Sequence, residues 1–147
     1  MPVPPVGAKA ESQHIVAEAD TAHAWGNTHV HVLATPRLLQ WIEQTTGSLW
    51  RGYRDRDQEA LLGTEFHFKH LGPGLVGATL TIRAEVTEVD RRRVRYRFEA
   101  FDEAGPVCEG WSENLLMPLD RHRERLERRR QATEKASIMP RTSSPKG

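Results

Sequence analysis

The chain has 147 residues, 37% hydrophobic and 28% charged, with 21 Lys and Arg against 20 Asp and Glu. That length fits one domain with a real core, and a net charge of +1 gives no global pull towards nucleic acid or an anionic membrane. One cysteine, Cys108, excludes an intramolecular disulfide framework and a cysteine-rich zinc site; no apolar run reaches membrane-spanning length, and MPVPPVGAKA lacks the regions of a signal peptide, so a cytoplasmic location is expected.

Residues 1–11 are rich in Pro, Ala and Gly and read as a flexible arm. Ser12 to Ala19 suits a short strand, and Asp20 to Asn27 an irregular connection with turn residues at both ends. Thr28 to Leu33 alternates weakly, which predicts a strand feeding a helix. That helix is the centre of the chain. Thr35 is placed to cap it and Pro36 to occupy its first position, where a missing N–H costs nothing. Leu38, Leu39, Trp41, Ile42, Leu49 and Trp50 cover much of its circumference, which predicts a buried helix. Glu43 falls on the stripe of Leu39, Thr46 and Trp50, where an acid needs a reason. Arg51 to Glu59 then reads as a charged, solvated loop.

From Leu62 the period becomes two. Phe66, Phe68 and His70 share one face, His67 and Lys69 the other, and Gly72-Pro73-Gly74 turns the chain. Val76 to Val89 alternates Ala78, Leu80, Ile82, Ala84 and Val86 against polar residues. Asp90-Arg91 turns it, Val94, Tyr96, Phe98 and Ala100 form the next apolar face, and DEAG (102–105) marks another hairpin. A last strand runs from Val107 to Leu119. The reading is α+β: two short strands, one buried helix, then a meander of three long strands, with the domain spanning 12–119. Residues 120–135 form a charged, net basic helix, expected to lie over the sheet, and 136–147 read as a disordered tail.

DTAHAWGN, then VLATPRLLQWIE, then the strand ending at His70, then GATLTIRAEVTEVDRRRVRYRFEAFDEAG, resemble the fluoroacetyl-CoA thioesterase-like family of hotdog proteins. The resemblance implies a sheet wrapped around the central helix, assembly as at least a homodimer, and hydrolysis of an acyl thioester. It also implies three candidate catalytic positions: Thr35 at the helix start, Glu43 eight residues on, and His70 at the following strand end. On the last strand the family's Gly-x-His-x-Arg-like stretch reads Gly110-Trp111-Ser112-Glu113-Asn114, and Gly74-Leu75 stands where the family tends to carry Thr-Pro.

The residue types suit that chemistry. Backbone N–H groups at a helix start favour a developing oxyanion, a carboxylate can activate water or attack directly, and burial would tune that carboxylate. A histidine can move the proton. Thr35 would otherwise be only a cap, and a lone His70 only a strand-end residue. Trp41, Gly72, Gly74 and Asn114 are candidate substrate contacts, the glycines as a close approach for a pantetheine arm, although tryptophans such as Trp25, Trp41 and Trp50 are more often core. His29 and His31 alternate like a ligand pair but lack a third ligand, so no metal is expected. Coenzyme A enters as part of the substrate rather than as a cofactor, and a carrier-protein thioester is the alternative. The rival functions are a non-hydrolytic acyl-thioester binder and an enzyme of tethered biosynthetic, polyketide-like intermediates.

Overall fold

Clean alternation of apolar and charged residues over Thr79–Asp90 and Arg93–Asp102 gives two long strands joined at Arg91, whose φ of 57° makes the tight turn. The computed structural model describes residues 2–138, and in it these strands are the middle of one antiparallel sheet. In chain order the elements are β1 (Lys9–Ile15), a single 3-10 turn at Glu18–Asp20, α1 (Thr35–Ser48), β2 (Glu59–His70), β3 (Thr79–Asp90), β4 (Arg93–Asp102), β5 (Gly105–Pro118) and α2 (Leu119–Ile138). The sheet order is β1-β3-β4-β5-β2, so β1 and β2 are its edges.

Register sorts the sheet into two faces. Ala10, Ala84, Phe98, Gly110 and Phe68 line up on the inner face, and Lys9, Glu85, Arg97, Trp111 and His67 on the outer one. Helix α1 fills the inner face. Leu38, Trp41 and Ile42 pack with Leu80, Ile82, Phe98 and Ala100, while Leu49 and Trp50 pack with Val86, Tyr96 and Leu116. The Trp50 indole N–H donates to the buried Tyr96 hydroxyl, which ties the end of the helix region to β4. At the other edge Ser12 and Thr45 hydroxyls meet at 2.6 Å, and His14 stacks on Trp41 with ring centres 4.4 Å apart. Burial there holds the His14 imidazole below its ordinary value, partly offset by Asp20.

Several expectations need correction. The N-terminal arm is not loose along its whole length. Gly7 N–H bonds the Val86 carbonyl, Val86 N–H bonds the Ala8 carbonyl, Pro4 is buried, and β1 already begins at Lys9. Residues 28–33 form no strand. Val32 and Leu33 make only isolated bridges, to Leu75 and Thr21, and His29 sits at φ 72°, so His29 and His31 share no strand face. One strand therefore precedes α1, and four follow it. The charged helix α2 does not lie over the sheet, since none of its residues is buried. Its contacts with the sheet are mainly to β5 and β2, and it pairs charges within itself, as Arg130 does with Glu127 and Glu134. It also continues to Ile138, into the stretch read as tail; residues 139–147 lie outside the described residues.

Candidate active site

The start of α1 is strung between two loops. Leu33 N–H bonds the Gly74 carbonyl at 2.7 Å and Ala34 N–H the Asp20 carbonyl at 2.8 Å, which fixes where the helix begins. Gly74 must be small, because a Cβ there would meet the Leu33 side chain at 2.9 Å, and one on Gly72 would meet the Pro106 carbonyl oxygen at 2.7 Å. Leu71 and Gly72 N–H groups both reach the Val107 carbonyl. These contacts clamp the turn after β2 onto the helix entrance. They bring His70 Nδ1 to 3.3 Å from Thr35 Oγ1, across 35 positions of sequence.

Thr35 is not the cap. The capping position is Ala34, which offers no side-chain bond, so Thr35 and Pro36 form the first helical positions. The Thr35 hydroxyl is therefore free of capping duty and lies beside His70. The first N–H groups of a helix have no partner within it, so the pair borders a patch of partial positive charge.

Glu43 is exposed, contrary to the burial expected for it. Eight residues along α1 set it about 12 Å from Thr35. It borders a separate pocket of about 380 Å³ between the second half of α1, the edge strand β2 and β5. Gly63 opposes it closely, since a Cβ there would lie 3.9 Å from the Glu43 carboxylate. Neither Thr35 nor His70 lines this pocket. Thr64 is an extra residue in β2, a bulge between Gly63 and Glu65, and its hydroxyl donates to Glu113. Glu113 is also held by Arg93 at 3.2 Å and Arg95 at 3.1 Å. The Thr64 hydrogen bond first, and then the two guanidinium groups, hold its carboxyl below the ordinary value.

The candidate substrate contacts are spread out. Asn114 lines the pocket and donates to the Leu62 carbonyl. Trp41 is core, buried against His14, and Trp50 is buried as well; only Trp25 is exposed. Gly72 and Gly74 position the turn as described. Arg54 lines the pocket too, although the 51–59 stretch reads as a solvated loop. Glu59 in that stretch is buried and opens β2. No local pattern announces this, because Arg54 owes its place to the path of the chain between α1 and β2. A second, wider concavity of about 1340 Å³ lies on the outer face of the sheet among residues such as Lys9, Arg83, Glu99 and Trp111, and none of the three candidate catalytic residues lines it.

A five-stranded antiparallel sheet wrapped on its inner face around one long helix is the hotdog fold, and solved structures share it. A thioesterase superfamily member from Thermus thermophilus is 24% identical, with 92% of this chain and 99% of that one covered and a TM-score of 0.77. A mutant of the fluoroacetyl-CoA-specific thioesterase FlK is 21% identical, covering 85% and 96%, at 0.75. A 1,4-dihydroxy-2-naphthoyl-CoA thioesterase from Synechocystis is 16% identical, covering 76% and 84%, at 0.64. The family model described as FlK, fluoroacetyl-CoA-specific thioesterase, matches residues 16–119, and the chain belongs to that family. No curated protein matches the sequence. One mutant of FlK has been solved with fluoroacetate and CoA, and another with acetyl-CoA. No described helix is long and apolar enough to cross a membrane.

Proposed function

We propose that the protein is an acyl-CoA thioesterase whose site is completed by a second copy of the chain. The observation that carries this reading is the Thr35–His70 contact at the start of α1, in a chain of a thioesterase family. In the reaction, Glu43 takes a proton from water and the hydroxyl adds to the thioester carbon. The oxyanion is met by the N–H groups at the start of α1 of the second copy, with the partner subunit's Thr35 hydroxyl beside them, since Thr35 sits with His70 and about 12 Å from Glu43 of its own chain. Collapse breaks the C–S bond. The proton taken from water is relayed by His70 to the departing thiolate, giving the free acid and the CoA thiol. FlK's complexes with CoA and acetyl-CoA favour CoA over a carrier protein here.

The rise of the helix keeps Glu43 away from His70 within one chain, and the edge strand offers a remedy. The stretch of β2 facing solvent runs from Gly63 to His70. Antiparallel pairing with a second copy keeps each face of the strand on one side only when it centres on a residue, and His67 lies at the middle of that stretch. It sets His70 of the partner subunit across from the Thr64 bulge, next to Gly63 and Glu43. The edge is then covered, as a long exposed strand requires.

Thiol release from a panel of short, branched, aromatic and long acyl-CoA thioesters tests the activity. Replacing Glu43 by Gln should lower kcat by about 10²-fold or more, with His70→Ala also impaired. Tight binding of the thioesters with no thiol released would instead favour the non-hydrolytic binder.

A further inference from the structure

The pocket beside Glu43 is surrounded by charges, most of them already matched. Glu113 is held by Arg93 and Arg95, and Glu65 lies 3.7 Å from Arg95. Two remain. Among the described residues neither Glu43 nor Arg54 has an ion-pair partner within 4.0 Å, and they do not pair with each other. Opposite charges on one small pocket, left apart, mark a space made for something that meets both.

Arg54 is the one basic residue on the pocket wall. It is half-buried, and only its Nη2 is engaged, donating to the Glu59 carbonyl at 3.3 Å. Its Nε is shut off from solvent without a partner. Most of the guanidinium's donors are thus unspent, and a half-buried cation without an anion is an unfavourable arrangement. The planar fork suits a carboxylate, which can accept two parallel hydrogen bonds from it. Leu61 and Phe66 supply apolar wall in the same pocket, suited to a short methylene segment.

We propose that Arg54 receives the far end of the acyl group, and that this site prefers thioesters of short dicarboxylic acids carrying a free terminal carboxylate. The inference rests on the reading above that Glu43 marks the reacting end. At about 380 Å³ the pocket is at the small end of the range for small-molecule sites and accommodates a short dicarboxylic acyl group. The competing arrangement is internal. The Glu59 Oε2 atom is also buried and unbonded, and pairing with it would make Arg54 a purely structural residue.

The test compares succinyl- and glutaryl-CoA with butyryl- and valeryl-CoA, matched in chain length, on the full-length protein and its Arg54→Gln and Arg54→Lys variants. Melting temperature and oligomeric state are followed for each. Alongside, calorimetry measures binding of succinyl and butyryl analogues whose thioester sulfur is replaced by methylene, so that turnover is not needed. The wild type should prefer succinyl- over butyryl-CoA in kcat/KM. Arg54→Gln should reduce that preference about a hundredfold while leaving butyryl-CoA within about threefold, with Arg54→Lys in between. No preference in the wild type would overturn the proposal. So would an equal loss on both substrates together with a lower melting temperature, which assigns Arg54 to Glu59. If the matched thioesters are hydrolysed without preference, the thioesterase reading stands and the Arg54 assignment falls. If no thioester is hydrolysed, the thioesterase reading falls, and calorimetry decides Arg54: a succinyl preference lost in Arg54→Gln supports it, and equal binding of the two analogues sinks it.

Discussion

Cys108 lies on the inner face of β5, in the cluster with Leu38 and Phe98, and burial pushes its thiol up to about 12. Since the thiolate is the reactive form, the folded protein should resist a maleimide at pH 8 and take up one equivalent only in denaturant, which mass spectrometry reads directly. Tyr96 gives a second test at this scale. Its hydroxyl is the acceptor for the buried Trp50 indole, so Tyr96→Phe strands that N–H and should cost about 1–3 kcal/mol in urea unfolding. Sequence makes some of these placements visible and hides others. The spacing of Thr35 and Glu43 within one helix is local, and a period of 3.6 is enough to set their separation. The meeting of Thr35 with His70 depends on Gly74 against Leu33 and Gly72 against Pro106, packing that no spacing encodes. Arg54 had no signal at all.

Elements with one clear period were the legible ones. β3 and β4 alternate strictly and are bounded by turn residues, so their faces follow from the pattern. β1, KAESQHI, is polar on both sides of its alternation and hides its start, and Val32-Leu33 reads as strand although loop contacts hold it. Charge composition identified α2 as a helix but not its position, because an arginine-rich helix has no apolar stripe to commit it to the sheet. Ending the chain after Arg125 should accordingly move the melting temperature by less than about 3 °C, since no α2 residue beyond that point is buried. The pairing of β2 with β5 behaves differently. The Glu113 carboxyl is held below its ordinary value of 4.5, so its contribution is complete above the unfolded value and is lost as the pH falls through the lowered folded one. Between pH 5 and pH 3 the wild-type melting temperature should therefore fall more steeply than that of Glu113→Gln.

At the scale of the whole molecule the proposed site makes a sharp demand on assembly. If Glu43 of one copy works with His70 of the partner subunit, Glu43→Ala and His70→Ala proteins are each inactive. Mixed under conditions that exchange subunits, they form heterodimers in which one of the two sites is intact. An equal mixture should regain roughly a quarter of wild-type thiol release, as statistical pairing requires. A site contained within one chain regains none.

The strand that ends in His70 is also the strand left at the edge of the sheet. Closing that edge and completing the site would then be a single event. Catalysis becomes a function of concentration: specific activity should fall on dilution along the dissociation curve followed by light scattering, while circular dichroism stays constant. A cell could silence such an enzyme by keeping it scarce, with no inhibitor and no unfolding.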